Sequence, residues 1–176
     1  DSVASRGLGD VYKRQQPFYL ANLDKRFIFD FSYDGVLRSY EESLQRLGVD
    51  AVDILHIHDP DAHFTDAVQG AYRALNRLRE EGSIKAVSVG MNQWEMLSKF
   101  LDHGDFDCFL LAGRYTLLDQ SSLAELLPKC LKHRTSIMIG GVYNSGILAN
   151  PVPGTTYNYV EAPQDLILSL IHICRC

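Results

Sequence analysis

Between residues 32 and 142 the chain repeats one event: a short apolar run, a polar turn, then a segment with the period of an amphipathic helix. The apolar runs are "AVDILHI" (51–57), "SIKAVSVG" (83–90), "FDCFLLA" (106–112) and "TSIMIGGV" (135–142). Their shortness and their branched and aromatic residues predict buried strands. Helices are predicted for "SYDGVLRSYEESLQRLG" (32–48) ahead of the first run, and for "TDAVQGAYRALNRLREEG" (65–82), "NQWEMLSKFLDHG" (92–104) and "SSLAELLPKCLKH" (121–133) between the others. Strands joined by helical crossovers must run parallel. Strand starts recur at roughly thirty residues, as such units require.

Either a doubly wound sheet or part of a parallel barrel satisfies this order. No GxGxxG follows a strand and no GxxxxGK[ST] occurs, so the common dinucleotide and phosphate loops are absent. That tilts the expectation toward a barrel. A complete barrel needs about 250 residues, and this chain has 176. The fold class expected is therefore α/β, a partial (β/α)8 barrel.

The helices carry their own punctuation. In the first, Val36, Leu37, Tyr40, Leu44 and Leu47 share a face, with Ser32 as cap and Gly48 as stop. In the second, Thr65 or Asp66 is the expected cap, and Val68, Ala71, Tyr72, Leu75 and Leu78 the buried face. Asn92 is a cap candidate for the third. Pro128 is expected to kink or shorten the fourth. Residues 144–159, rich in Gly, Pro and Asn, read as loop.

Acids exceed bases by five and no basic stripe occurs, which disfavours a nucleic-acid partner. No apolar run approaches the ~20 residues of a spanning helix, and "DSVASRGLGD" has no secretory apolar core. Cys108 and Cys130 sit in apolar segments and read as buried and reduced, while Cys174 and Cys176 lack a second pair for a metal. A cytoplasmic setting is expected. Residues 1–15 and 168–176 match neither structural period and resemble translated adapter or vector sequence. The expectation is one domain over 16–167 between non-native tails that pack irregularly.

Chemistry in parallel α/β folds sits at the carboxyl ends of strands. "HIHDPDAH" (56–63) follows the first strand, Asn92 the second, Arg114 and Tyr115 the third, and Tyr143, Asn144 and Ser145 the fourth. His56 and His58, two apart on a strand, share a face. With Asp59, Asp61 and His63 they make a zinc or manganese site of a metal-dependent hydrolase conceivable. Asn92, Arg114 and Tyr143 are poor partners for such a metal. The plainer reading has His56 packed in the core and His58 at the rim.

"EESLQRLGVDAVDILHIHDPD" and "LREEGSIKAVSVGMN" resemble the aldo-keto reductases, with Asp53 opening the fourth barrel strand and His58 and Pro60 in their places beyond it. "FDFSYDGVLRSYEESLQRLG", "RYTLLDQ" and "GGVYNSGILA" resemble the branch that includes D-threo-aldose 1-dehydrogenases and pyridoxal 4-dehydrogenases. The likeness spans about residues 27 to 165. It implies strands four to seven of the barrel and a parent enzyme that moves a hydride between NADP or NAD and a small-molecule sugar or aldehyde. Of the family's Asp, Tyr, Lys and His, it assigns only His58, which orients the substrate oxygen. The other three belong to strands that would precede residue 16, so the chain alone is expected to be inactive.

The same likeness implies cofactor contacts from Asn92, one position later than usual, and from Tyr143, Asn144 and Ser145 near the pyrophosphate. It puts Ala112 where a Gln usually binds the nicotinamide amide, and Gly140 or Gly141 where an aromatic usually stacks. No metal is implied. Substrate, choice of cofactor and oligomeric state stay open.

Overall fold

Residues 28–173 are described by the computed structural model. Helix α1 (Tyr33–Leu47) starts where the sequence places its cap: the Ser32 hydroxyl accepts from the Gly35 N–H at 3.1 Å. Asp30 braces that turn, accepting from the Ser32 hydroxyl at 2.6 Å and from Arg38 at 2.9 Å. Hydrogen bonds from Ser32, and then the Arg38 charge, hold the Asp30 carboxyl below its usual range. Gly48 ends the helix in the left-handed conformation, φ 67°, where a Cβ is penalised. Leu47, expected on the buried face, is 64% exposed, because it falls in the last turn beyond the reach of the sheet.

The strands β1 (Ile54–His58), β2 (Ala86–Met91), β3 (Cys108–Ala112) and β4 (Ser136–Gly140) pair in parallel and in chain order. Parallel crossovers are right-handed, so an order that never reverses puts every connecting helix on one face. A doubly wound sheet would need a reversal. The outer face carries Ile57, Val87, Val89, Met91, Phe109 and Leu111 into a single apolar core with the helices. The inner face carries rows instead: His56, Ser88, Cys108 and Ser136, then His58, Gly90, Leu110 and Met138, then Ala112 and Gly140 nearest the carboxyl ends.

The second helix, α2, runs unbroken through Phe64–Asp66, a wider π-helical stretch Ala67–Tyr72, and Arg73–Glu80. Neither Thr65 nor Asp66 caps it, since a 3-10 turn at Asp61–His63 leads straight into Phe64. The wide turn centres on Gly70, where a Cβ would run into the backbone carbonyl of Phe31. Its buried face is as expected, with Ala71, Leu75 and Leu78 in the core. Helix α3 (Trp94–Phe100) follows Gln93 without a side-chain cap, so Asn92 does not serve as one. Helix α4 (Leu126–His133) is shortened at its amino end. Pro128 thereby falls in the first turn, where its missing N–H has no partner to lose. Cys108 and Cys130 are free and buried, and burial pushes the Cys130 thiol up to about 11.

Beyond β4 the structure departs from a plain loop. The strands β5 (Thr156–Tyr157) and β6 (Val160–Glu161) form a hairpin, with Asn158 and Tyr159 at φ 49° and 66°, as a tight two-residue turn demands. Helix α5 (Gln164–Ile173) then buries Ile167 and Leu170 against Ile147 and Ala162. The expectation of irregular packing is corrected for residues 168–173: they continue this helix, and Leu170 is 5% exposed. Burial of one face every three to four residues outweighs the missing cap. Residues 1–15 and 174–176 lie outside the described residues. No helix among the described residues is long and apolar enough to cross a membrane.

Candidate functional site

His58 is the last residue of β1, and its side chain is 69% exposed on the inner face. The odd spacing from Asp53 puts the two on opposite faces, and Asp53 pairs with Lys85 at 2.6 Å at the amino end of the strand. His56 shares the inner face. The expectation that it packs in the core is corrected: it is exposed, because no element covers that face among the described residues. Partial burial of its ring, and then the neighbouring His58, hold the His56 imidazole below its usual range.

The loop after β1 is tightly built. Asp59 takes a left-handed backbone, φ 46°, with its N–H donating to Gly90 O at 3.0 Å. Its side chain is 7% exposed, and Oδ2 lies 3.4 Å from His58 Nε2. A non-glycine residue in this conformation stores strain at a strand end. Asp61 follows with both carboxylate oxygens buried and without a hydrogen-bond partner. Desolvation raises the Asp61 pKa, and the Asp59 charge adds to it. His63 turns away, stacked on Phe29 at 6.0 Å and tilted against Phe31 at 5.4 Å between ring centres. Among the described residues no group of three or more His, Cys, Asp or Glu could hold a metal ion. A groove of about 290 Å³ follows β1 under residues 28–31, touching Phe29, Phe31, Tyr40, His56 and His58.

A second cluster lies two strands away. Asn92 donates through Nδ2 to Ala112 O at 3.0 Å, tying the end of β2 to the end of β3. Asn144, in the left-handed turn after β4 at φ 48°, is 5% exposed. Its Nδ2 reaches Gly113 O at 3.5 Å. A Cβ on Gly113 would sit 3.9 Å from Asn144 Nδ2 and 4.0 Å from Asn92 Nδ2, so both amides converge above that glycine. Tyr143 and Ser145, expected in the same subsite, are exposed, Tyr143 at 63%. Arg114 donates to Asn158 Oδ1 at 2.7 Å and lies 3.4 Å from Asp119, anchoring the β5–β6 hairpin at the end of β3.

The side-chain oxygens buried without a partner among the described residues are Asp61 Oδ1 and Oδ2, Gln93 Oε1 and Asn144 Oδ1. All four follow strand carboxyl ends, and all are acceptors. Gln93 is the residue that sequence reasoning missed; its adjacency to Asn92 in "GMNQW" was the one available signal. Buried acceptors left unpaired are costly, so the strand ends concentrate demand for donors.

The Aldo/keto reductase family model matches residues 5–166. The chain is 43% identical over 156 residues to a pyridoxal 4-dehydrogenase of Microbacterium luteolum, covering 82% of this chain and 46% of that protein. It is 38% identical over 158 residues to a D-threo-aldose 1-dehydrogenase of a Pseudomonas species, covering 86% and 48%. An aldo-keto reductase of Bacillus halodurans shares the fold with a TM-score of 0.66 at 22% identity, over 80% of this chain and 47% of that one. The four-stranded sheet and its helices are part of a (β/α)8 barrel, and the chain spans about half the length of the curated relatives it matches.

Proposed function

The chain belongs to the aldo/keto reductase family, and on that premise we propose that the complete enzyme transfers a hydride between NADP or NAD and the C1 of an aldose or the carbon of an aldehyde. The observation that carries this reading is His58: an exposed imidazole at a strand's carboxyl end, on the inner face, held beside a buried carboxylate. The two dehydrogenase relatives, acting by name on an aldose and on pyridoxal, support the substrate class.

The residues present fit a nicotinamide cofactor. The amides of Asn92 and Asn144 converge at the ends of β2 and β4, and Gln93 and Asn144 each offer a buried acceptor without a partner. Gly113 between them leaves room for close approach. When bound, the cofactor supplies or accepts the hydride. His58 donates a hydrogen bond to the substrate oxygen and so stabilises charge that develops there. Asp59 restrains the His58 ring, and Tyr143 and Ser145 stand beside the cofactor's phosphates. The Tyr and Lys that the family resemblance implies as the proton-transfer pair are not among the described residues.

The test replaces each histidine in the full-length enzyme. His58→Ala is expected to cut turnover by about two to three orders of magnitude with cofactor affinity unchanged. His56→Ala is expected to leave turnover within a few fold of wild type. If His56→Ala abolished activity at unchanged melting temperature while His58→Ala stayed active, the histidine assignment would be wrong and a metal on the His56/His58 pair would be the better reading.

A further inference from the structure

We propose that the turn from Asp59 to His63 is a proton-operated latch at the carboxyl end of β1: it closes with the Asp61 carboxyl neutral and opens when that carboxyl ionises. The latch needs neither cofactor nor substrate.

The closed turn holds opposing features. Both Asp61 carboxyl oxygens are buried, and among the described residues neither has a hydrogen-bond partner. A carboxylate in that state is costly, and the neutral acid far less so. Asp59, two residues earlier, holds a left-handed backbone at φ 46°, which a non-glycine residue keeps only under restraint. Against these stand the fully buried ring of Pro60 and two backbone bonds, Asp59 N–H to Gly90 O at 3.0 Å and His63 N–H to Pro60 O at 2.9 Å. Proline burial and backbone bonding shut the turn, while strain and an unpaired acid press it open.

The groups around Asp61 set the direction. Burial raises its pKa first of all, and the Asp59 charge adds to this; its own N–H and the nearby His58 offset them only in part. Elsewhere in the turn His63 lies 3.8 Å from Asp66 of α2. Asp30, in the segment that packs on His63 through Phe29 and Phe31, is held by Ser32 and Arg38. The closed turn thus binds the Asp61 proton more tightly than the open turn, and by linkage the proton favours closure. Closure weakens as pH rises from 3.8 through the raised value, and stays weakened above it. Asp59 is the first residue of the turn, so opening moves the carboxylate whose Oδ2 lies 3.4 Å from His58 Nε2. Proton uptake at Asp61 is thereby felt at His58.

The experiment is native-state amide exchange on the purified chain, followed residue by residue in low urea at about pH 4 and about pH 7. The Asp59 and His63 amides report the turn, and those of β2 and β3 report unfolding of the sheet. Protection is corrected for the intrinsic exchange rate at each pH. In wild type the turn amides are expected to exchange through a local opening, with protection below that of the strands and insensitive to urea. That protection is expected to fall about tenfold from the lower to the higher pH, the scale of one unmet hydrogen bond on a buried group. Asp61→Asn, which fixes a neutral side chain of the same shape, is expected to remove the fall. Asp61→Leu, neutral and similarly branched, is expected to do the same and serves if the Asn variant fails to fold. Turn amides that match the strands in protection and urea dependence overturn the inference, because the turn then opens only with the whole fold. Wild-type protection that is equal at both pH values overturns it as well. So does an undiminished fall in the neutral variants, which places the titration on another group.

Discussion

Asp59 and Asp61 sit one residue apart from Pro60 on either side, and their environments push them to different tasks. Asp59 lies against the His58 ring, where a carboxylate can fix the imidazole. Among the described residues Asp61 has no hydrogen-bond partner on its buried oxygens, and its own backbone N–H and the nearby His58 offset the desolvation only in part, so its charge is a liability. Its folded pKa is raised above 3.8, first by desolvation. Between that value and the raised one, the folded chain holds more protons than the unfolded chain. Stability therefore falls as pH rises through that window, and the deficit persists at neutral pH. Asp61→Asn removes the charge without changing shape. Its melting temperature at pH 7 is expected to exceed that of the parent chain, by roughly 2–4 °C per kcal/mol of relieved desolvation. The gap should close when both are melted below about pH 3.8, in the range where the carboxyl is neutral in either state. An Asn variant that melts lower at pH 7 would mean the ionised carboxylate has a stabilising partner.

At the level of elements, α2 departs from regular geometry at the point where it meets the segment before α1. The π-helical stretch Ala67–Tyr72 brings Gly70 so close to the Phe31 carbonyl that no side chain fits. Gly70→Ala should gain up to about 1 kcal/mol of helix propensity, but forcing a methyl against fixed backbone costs typically 1–3 kcal/mol. A net fall in melting temperature is expected, with Gln69→Ala, exposed on the next position, as a neutral control. A Gly70→Ala variant that melts higher would show the approach to be slack. Gly70 also marks the limit of sequence reading. The four strands were legible because each apolar run is short and flanked by turn residues, and Ser32 and Gly48 announced the ends of α1. The β5–β6 hairpin was not, since two residues per strand carry no period. Helix α5 was hidden because its last residues were set aside as foreign by composition. The convergence of Asn92 and Asn144 could not be read at all: burial at 5% and an orphaned oxygen arise only from the meeting of β2, β3 and β4. The likeness to a family places Asn144 near the pyrophosphate, and the tertiary contacts bring its amide to Gly113 O at the end of β3.

For the molecule as a whole, an unreversed parallel sheet has all its helices outside and a face of mixed character inside. His58, Leu110, Met138 and Gly140 lie there without an element packed over them among the described residues. On the proposed reading His58 is the donor to a substrate oxygen, but hydride transfer to or from a carbon also needs a proton moved at that oxygen. Loss of general acid–base help alone costs roughly 10²–10⁴ in rate, and an inner face open to water weakens each remaining electrostatic contact further. The purified chain is therefore expected to show no cofactor reduction above background with aldoses or aromatic aldehydes, under conditions where the full-length enzyme turns over readily. The assay is decisive in the other direction as well. Robust turnover by this chain alone would require a proton donor within it, and the exposed phenols that follow β3 and β4 at Tyr115 and Tyr143 would be the groups to replace. Loss of that turnover in Tyr143→Phe or Tyr115→Phe would then move the acid–base role onto the half of the barrel that also carries His58.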